Sequence, residues 1–212
     1  MTLAPQGVRR MAAWAGAKAP AAPEPATTVT ATATCELCPL GLSDDHRHLL
    51  DLDQRRIICV CETCWSLRSG DPQFRPPGTR RLLLEDFVMS DEVWAAFQIP
   101  IGLAFFLRSS STGSIVGLYP SPAGATECEL DLVAWQQLVS ANPVLEDLDP
   151  DAEALIVNRM ATPHVHAIAP LDDCYRLVGI IKSTWEGITG GAAMEAAVLS
   201  YFDALRGVAT VR

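Results

Sequence analysis

Apolar and polar positions alternate with a short period early in the chain and with a helical period late in it. His48-Leu-Leu-Asp-Leu52 and Ile57-Ile-Cys-Val60, on either side of the polar Asp53-Gln-Arg-Arg56, have the pattern of two strands joined by a turn. Arg80-Arg-Leu-Leu-Leu84 predicts another strand. Ile101-Gly-Leu-Ala-Phe-Phe-Leu107 predicts a buried strand, with Ile115-Val-Gly-Leu-Tyr119 as its hairpin partner across the turn at 109–114. Ser90 is placed to cap a short helix that carries Asp91 and Glu92 in its first turn and Val93, Trp94 and Phe97 as its apolar side. Residues 132–139 and 151–158 read as helices on either side of Asn142-Pro143. From Leu171 to Trp185 the apolar residues Leu171, Cys174, Tyr175, Val178 and Ile181 recur at helical offsets. A glycine-rich break at 187–191 precedes a last amphipathic helix over 192–205, through Met194, Val198, Leu199, Phe202 and Leu205. Strands early and helices late predict the α+β class. The expected layout is an N-terminal zinc-ribbon-like β-hairpin module, then a small α+β domain with a β-hairpin and C-terminal helices.

Composition sharpens the boundaries. Residues 1–34 hold 11 Ala, 4 Pro and 6 Thr, with little to bury, and predict a disordered tail. Arg9-Arg10 and the apolar stretch after them imitate an export signal, but Lys18 interrupts that stretch after seven residues and prolines follow at 20, 23 and 25. Ser69-Gly-Asp-Pro-Gln-Phe-Arg-Pro-Pro-Gly78 punctuates the chain as a linker. The divisions are therefore a tail at 1–34, a metal module at 35–68, a linker at 69–78 and an α+β domain at 79–212. Over 212 residues, 49% are hydrophobic and the net charge is −9, which fits a folded core and disfavours phosphate binding. No apolar run approaches the roughly 18–20 residues of a membrane helix, so a cytoplasmic protein without a membrane span is expected.

The charge is unevenly placed. No Lys or Arg falls between Arg108 and Arg159, a stretch that holds Glu127, Glu129, Asp131, Glu146, Asp147, Asp149, Asp151 and Glu153. Helix caps and a solvated face account for such a block. A docking face for a basic partner is the sharper alternative, and Glu127, Glu129, Asp131, Asp172, Asp173 and Tyr175 are its candidate contacts.

Of the seven cysteines, four form Cys35-Glu-Leu-Cys38 and Cys61-Glu-Thr-Cys64, 22 residues apart. Two such pairs at this spacing signal a zinc site, because each turn aims two sulfurs at one point and two turns complete a tetrahedron. Cys59 is in phase with Cys61, and either could face the metal. His46 and His48, in the intervening segment, are possible substitutes for a cysteine. Zinc ranks above iron, since Pro39 and Trp65 follow the two pairs where a rubredoxin usually has glycine. Four cysteines on one ion make a closed, structural site. Elsewhere, the segment Tyr119-Pro-Ser-Pro-Ala-Gly-Ala-Thr-Glu127 reads as a loop that either connects or carries an enzymatic site, and no Ser/His/Asp or paired-carboxylate arrangement supports an enzyme.

Several segments together carry a likeness: Cys35-Glu-Leu-Cys38, His46-Arg-His-Leu-Leu-Asp51, the 119–127 segment, Asn142-Pro143, Asp172-Asp-Cys-Tyr-Arg-Leu-Val-Gly179, Trp185-Glu-Gly and Gly190-Gly191. From Cys35 to its end the chain resembles an uncharacterised actinobacterial family, a domain of unknown function encoded beside nickel–iron hydrogenase genes. The resemblance implies a context and no reaction: an accessory protein whose partner is a nickel–iron hydrogenase subunit or maturation factor. It also strengthens the case for His46 or His48 at the metal. The alternatives are a rubredoxin-like electron carrier with iron in the four-cysteine site, and an enzyme with its site at 119–127.

Overall fold

Strict alternation on three central strands organises the larger core. The structure, a computed structural model, describes residues 33–54, 56–187 and 190–212, so nearly all of the expected tail lies outside the described residues. In chain order the elements are β1 (Arg47–Asp51), β2 (Arg56–Val60), α1 (Glu62–Arg68), β3 (Phe74–Arg75), β4 (Leu82–Leu83) and α2 (Asp91–Ala96). They continue with β5 (Leu103–Arg108), β6 (Ile115–Ser121), β7 (Gly124–Cys128), α3 (Leu132–Ala141) and a short 3-10 turn at Pro143–Asp147. The chain then forms β8 (Glu153–Asn158), β9 (Val165–Pro170), α4 (Leu171–Thr184), α5 (Gly191–Val208) and β10 (Thr210–Val211).

Seven strands form one sheet in the order β10-β4-β9-β8-β5-β6-β7, antiparallel except for the β10–β4 pair. Side chains alternate between its faces. Leu103, Phe105 and Leu107 of β5 join Ala154 and Ile156 of β8 against Leu177, Ile181, Val198 and Phe202 of α4 and α5. Ala104 and Phe106, with Leu155 and Val157, join Trp135 and Leu138 of α3 and Phe97 beyond α2 on the opposite face. The sheet is thus covered on both sides, and the class is α+β.

That two-sided burial explains the segment the pattern misplaces. Residues 151–158 were expected to be helical, but Glu153–Asn158 is the central strand β8 and every one of its side chains is buried. An unbroken apolar run carries no polar face, so periodicity alone does not separate a buried strand from a buried helix. Residues 119–127 likewise form the arms of the β6–β7 hairpin instead of a loop. Its turn at Ser121–Gly124 is closed by Ser121 Oγ donating to the Gly124 carbonyl at 3.0 Å. Gly124 holds φ at 122°, a region that a side chain disfavours. The expected Ser90 cap is present, accepting from the Val93 N–H at 3.2 Å.

The β1–β2 hairpin belongs to a second, three-stranded sheet of order β2-β1-β3. Its faces have different fates. Leu49, Ile58 and Val60 bury themselves with Cys35, Cys61 and Phe74. Leu50 and Ile57, on the other face, pack into the core of the larger sheet beside α4. Residues 69–78 supply β3, which pairs with β1 through Leu50–Arg75 and Asp51–Phe74. Arg75 also forms an ion pair with Asp149 at 2.5 Å.

One half-buried titratable group makes the fold sensitive to acid. His166 of β9 stacks on Phe87 with 4.6 Å between ring centroids, and its Nε2 is buried without a hydrogen-bond partner among the described residues. Burial, assisted by His164 and Arg159, lowers its pKa to about 4. The unfolded chain protonates this ring near pH 6.5 and the folded chain only near 4, so the unfolded state binds the extra proton between them. Stability from this group is therefore complete above about pH 6.5 and lost as the pH falls towards 4. His166→Phe should remove this slope, gaining on the wild type by roughly 1–2 kcal/mol at the acid end because part of the ring stays in water. Urea titrations of both proteins at a series of pH values read the difference directly.

Candidate metal centre

Each cysteine pair is set by a local turn. Cys35 and Cys38 lie in a tight turn held by the Cys35 N–H donating to the Leu40 carbonyl at 2.8 Å. Cys61 is the N-cap of α1, its sulfur accepting from the Cys64 N–H at 3.4 Å, which places Cys64 in the first helical turn facing the same point. The hairpin between the pairs returns the chain, and the Cys61 N–H donates to Cys35 Sγ at 3.3 Å. As a result the four sulfurs of Cys35, Cys38, Cys61 and Cys64 all lie within 4.8 Å of one another.

Their spacing tests what they can hold. Sulfurs at about 2.3 Å from one tetrahedral ion stand about 3.8 Å apart. Cys38 and Cys61 are 3.8 Å apart, too far for a disulfide, and all four are free thiols. The donor set suits zinc or iron equally in geometry, so the cluster can hold a metal ion whose identity the thiolates alone do not choose. Electrostatics favour ionisation in part. Burial pushes the Cys35 thiol up, but hydrogen bonds from the Cys61, Leu37 and Cys38 backbones and the Cys38 thiol outweigh it, and its pKa falls to about 6. Cys64 is pushed up to about 12, first by its shared hydrogen bond with Cys38 and then by burial. A bound cation must displace the protons that the metal-free cluster retains.

The other ligand candidates are not in this cluster. Cys59 and the two histidines, considered as substitutes for a cysteine, come together in a separate group, with the ligand atoms of His46, His48 and Cys59 within 4.8 Å of one another. His48 and Cys59 are direct cross-strand neighbours of β1 and β2. They stand on the face opposite Leu49 and Ile58, which explains why they are absent from the four-cysteine core.

The acidic candidates have varied fates. Asp131 caps α3, accepting from the Val133 and Ala134 N–H groups at 2.8 and 3.0 Å. Asp173 is only 3% exposed and is clamped between Arg81, at 2.6 Å, and Arg176, at 3.2 Å. Its backbone carbonyl accepts from the Tyr201 hydroxyl at 3.1 Å, tying α4 to α5. These two carboxylates serve the fold. Asp172 faces His48, and Glu129 is exposed. Glu127 and Tyr175 border a cavity of about 320 Å³ lined by Leu50 of β1, Leu52 just after it, and Leu118 and Asp151 of the body. Asp151, which the sequence pattern assigned to a charged block and to the start of a helix, is buried there and accepts the Ser110 N–H at 3.1 Å. Its role was hidden because the Ser110 turn is 41 residues away.

A family model described as a family of unknown function, DUF5947, matches residues 34–209. The chain belongs to this family. The DUF5947 match opens one residue before Cys35 and runs through both cysteine pairs, the histidines and α5. No curated protein and no solved structure matches the chain. Among the described residues no helix is long and apolar enough to cross a membrane.

The Asp173 clamp gives a test of which carboxylates are structural. Removing one partner of a buried pair leaves charge uncompensated and typically costs about 3–5 kcal/mol. Arg81→Ala, which strips the buried Asp173 carboxylate of its closer partner, should lose about 3 kcal/mol in urea denaturation while its metal content equals that of the wild type, measured by elemental analysis.

Proposed function

We propose that this DUF5947 protein is a non-enzymatic accessory protein whose four cysteines hold one structural zinc ion. The convergence of Cys35, Cys38, Cys61 and Cys64 within 4.8 Å carries the reading. Four protein ligands on one ion leave no position for water or substrate, which is the arrangement of a structural centre. The segment around it is small, so metal binding supplies folding free energy that the few apolar side chains there do not. The resemblance to the hydrogenase-associated family supports a role in assembling, stabilising or supplying a nickel–iron hydrogenase, with a hydrogenase subunit or maturation factor as partner.

A colourless protein that loses one equivalent of zinc in Cys38→Ser is the expected result of elemental analysis and visible spectroscopy. A red protein containing iron would replace this reading with a rubredoxin-like electron carrier. Chelation of the metal should raise amide exchange at Leu49, Ile58 and Val60 by at least tenfold and leave Leu155 and Ile156 of β8 protected. Capture from cells expressing the hydrogenase should recover a subunit or maturation factor, and recovery of neither would remove the hydrogenase context. The cavity beside Glu127 and Tyr175 favours a second reading, a small-molecule or enzymatic site at 119–127.

A further inference from the structure

The histidines between the cysteine pairs have an orientation that core or surface packing does not require. His46 Nδ1 lies 2.8 Å from the Ser43 carbonyl oxygen, which fixes the proton on Nδ1 and leaves Nε2 as the lone-pair nitrogen. That Nε2 is buried with no hydrogen-bond partner among the described residues. His48 Nδ1 lies 3.7 Å from the Asp172 carboxylate at the start of α4, leaving its Nε2 on the far side of the ring. The two rings meet edge to face with centroids 4.8 Å apart. Cys59 stands directly across the hairpin from His48, and the Glu36 carboxylate accepts from the Cys59 backbone N–H at 2.9 Å.

A carbonyl on the outer nitrogen, as at His46, is a feature of histidine ligands, and His48 has a carboxylate close to its own outer nitrogen. We propose that His46, His48 and Cys59 form a second metal site, taking a divalent ion of the zinc type. Two imidazoles and one thiolate suit zinc chemistry. Ser43 positions the His46 ring, Asp172 places negative charge beside His48, and Cys59 gives its proton to solvent when the ion binds. Three protein ligands leave a fourth position for water or an incoming donor, so this site is open where the four-cysteine site is closed. It lies on the hairpin face that meets α4, so Asp172 links the ion to the larger domain. The proposal stands independently of the four-cysteine reading.

The test uses the full chain, reduced, stripped with chelator and titrated with Co²⁺ and then Zn²⁺. The wild type should bind two equivalents. Cys38→Ser and the double variant His46→Gln/Cys59→Ser should each lose one, and a different one. A wild type that binds a single equivalent, retained in His46→Gln/Cys59→Ser, would overturn the second site. A single equivalent lost in that variant but retained in Cys38→Ser would uphold it and refute the four-cysteine reading instead. A measurement on Cys38→Ser, in which His46, His48 and Cys59 are intact, guards against a misfolded double variant. There zinc should slow alkylation of Cys59 by at least tenfold, and an unchanged rate would overturn the proposal.

Discussion

The hairpin of β1 and β2 must bury two faces within 14 residues, and the neighbouring segments divide that task. A segment the size of residues 33–75 falls near the lower limit at which an apolar core alone sustains a fold. One face therefore packs Leu49, Ile58 and Val60 around the cysteines, where a metal held by the four thiolates would supply the missing stabilisation. The other sends Leu50 and Ile57 into the main core. The order of β3, the Arg75–Asp149 ion pair and the approach of His48 to Asp172 all follow from docking that second face.

The same docking changes the meaning of the acidic stretch. Read as charge alone, residues 127–153 look like a surface awaiting a basic partner. In the fold, two of these eight carboxylates, Asp149 and Glu153, meet arginines from outside the stretch. Arg80 forks onto Glu153, whose side chain is only 6% exposed, and donates to the Asp147 carbonyl. Arg75 takes Asp149, while Asp131 and Asp151 accept backbone N–H groups. Such pairs matter most where one member is buried and little where both are solvated. Asp149, Asp151 and Glu153 thus join distant strands and loops, and Asp131 caps its own helix.

Much of this architecture was legible in the sequence wherever a local rule sufficed. The Ser90 cap, the helices carrying Cys174 and Phe202, and the hairpin between the cysteine pairs each follow from spacing within a few residues. Residues 153–158 did not, because an apolar run buried on both sides looks the same whether helical or extended. The 119–127 hairpin was obscured by its prolines and glycine, which mark turns and strand ends alike. At the candidate site, the CxxC pairs announced the four-cysteine cluster. The grouping of His46 and His48 with Cys59 depends on cross-strand register, and the approach of Asp172 depends on tertiary docking, so neither was visible in linear spacing.

The central claim is that four thiolates enclose one ion. X-ray absorption at the zinc edge, on protein carrying a single tightly held equivalent, tests it most directly. The account predicts a first shell of four sulfur scatterers at about 2.3 Å with no light-atom ligand. A shell dominated by nitrogen or oxygen would contradict it.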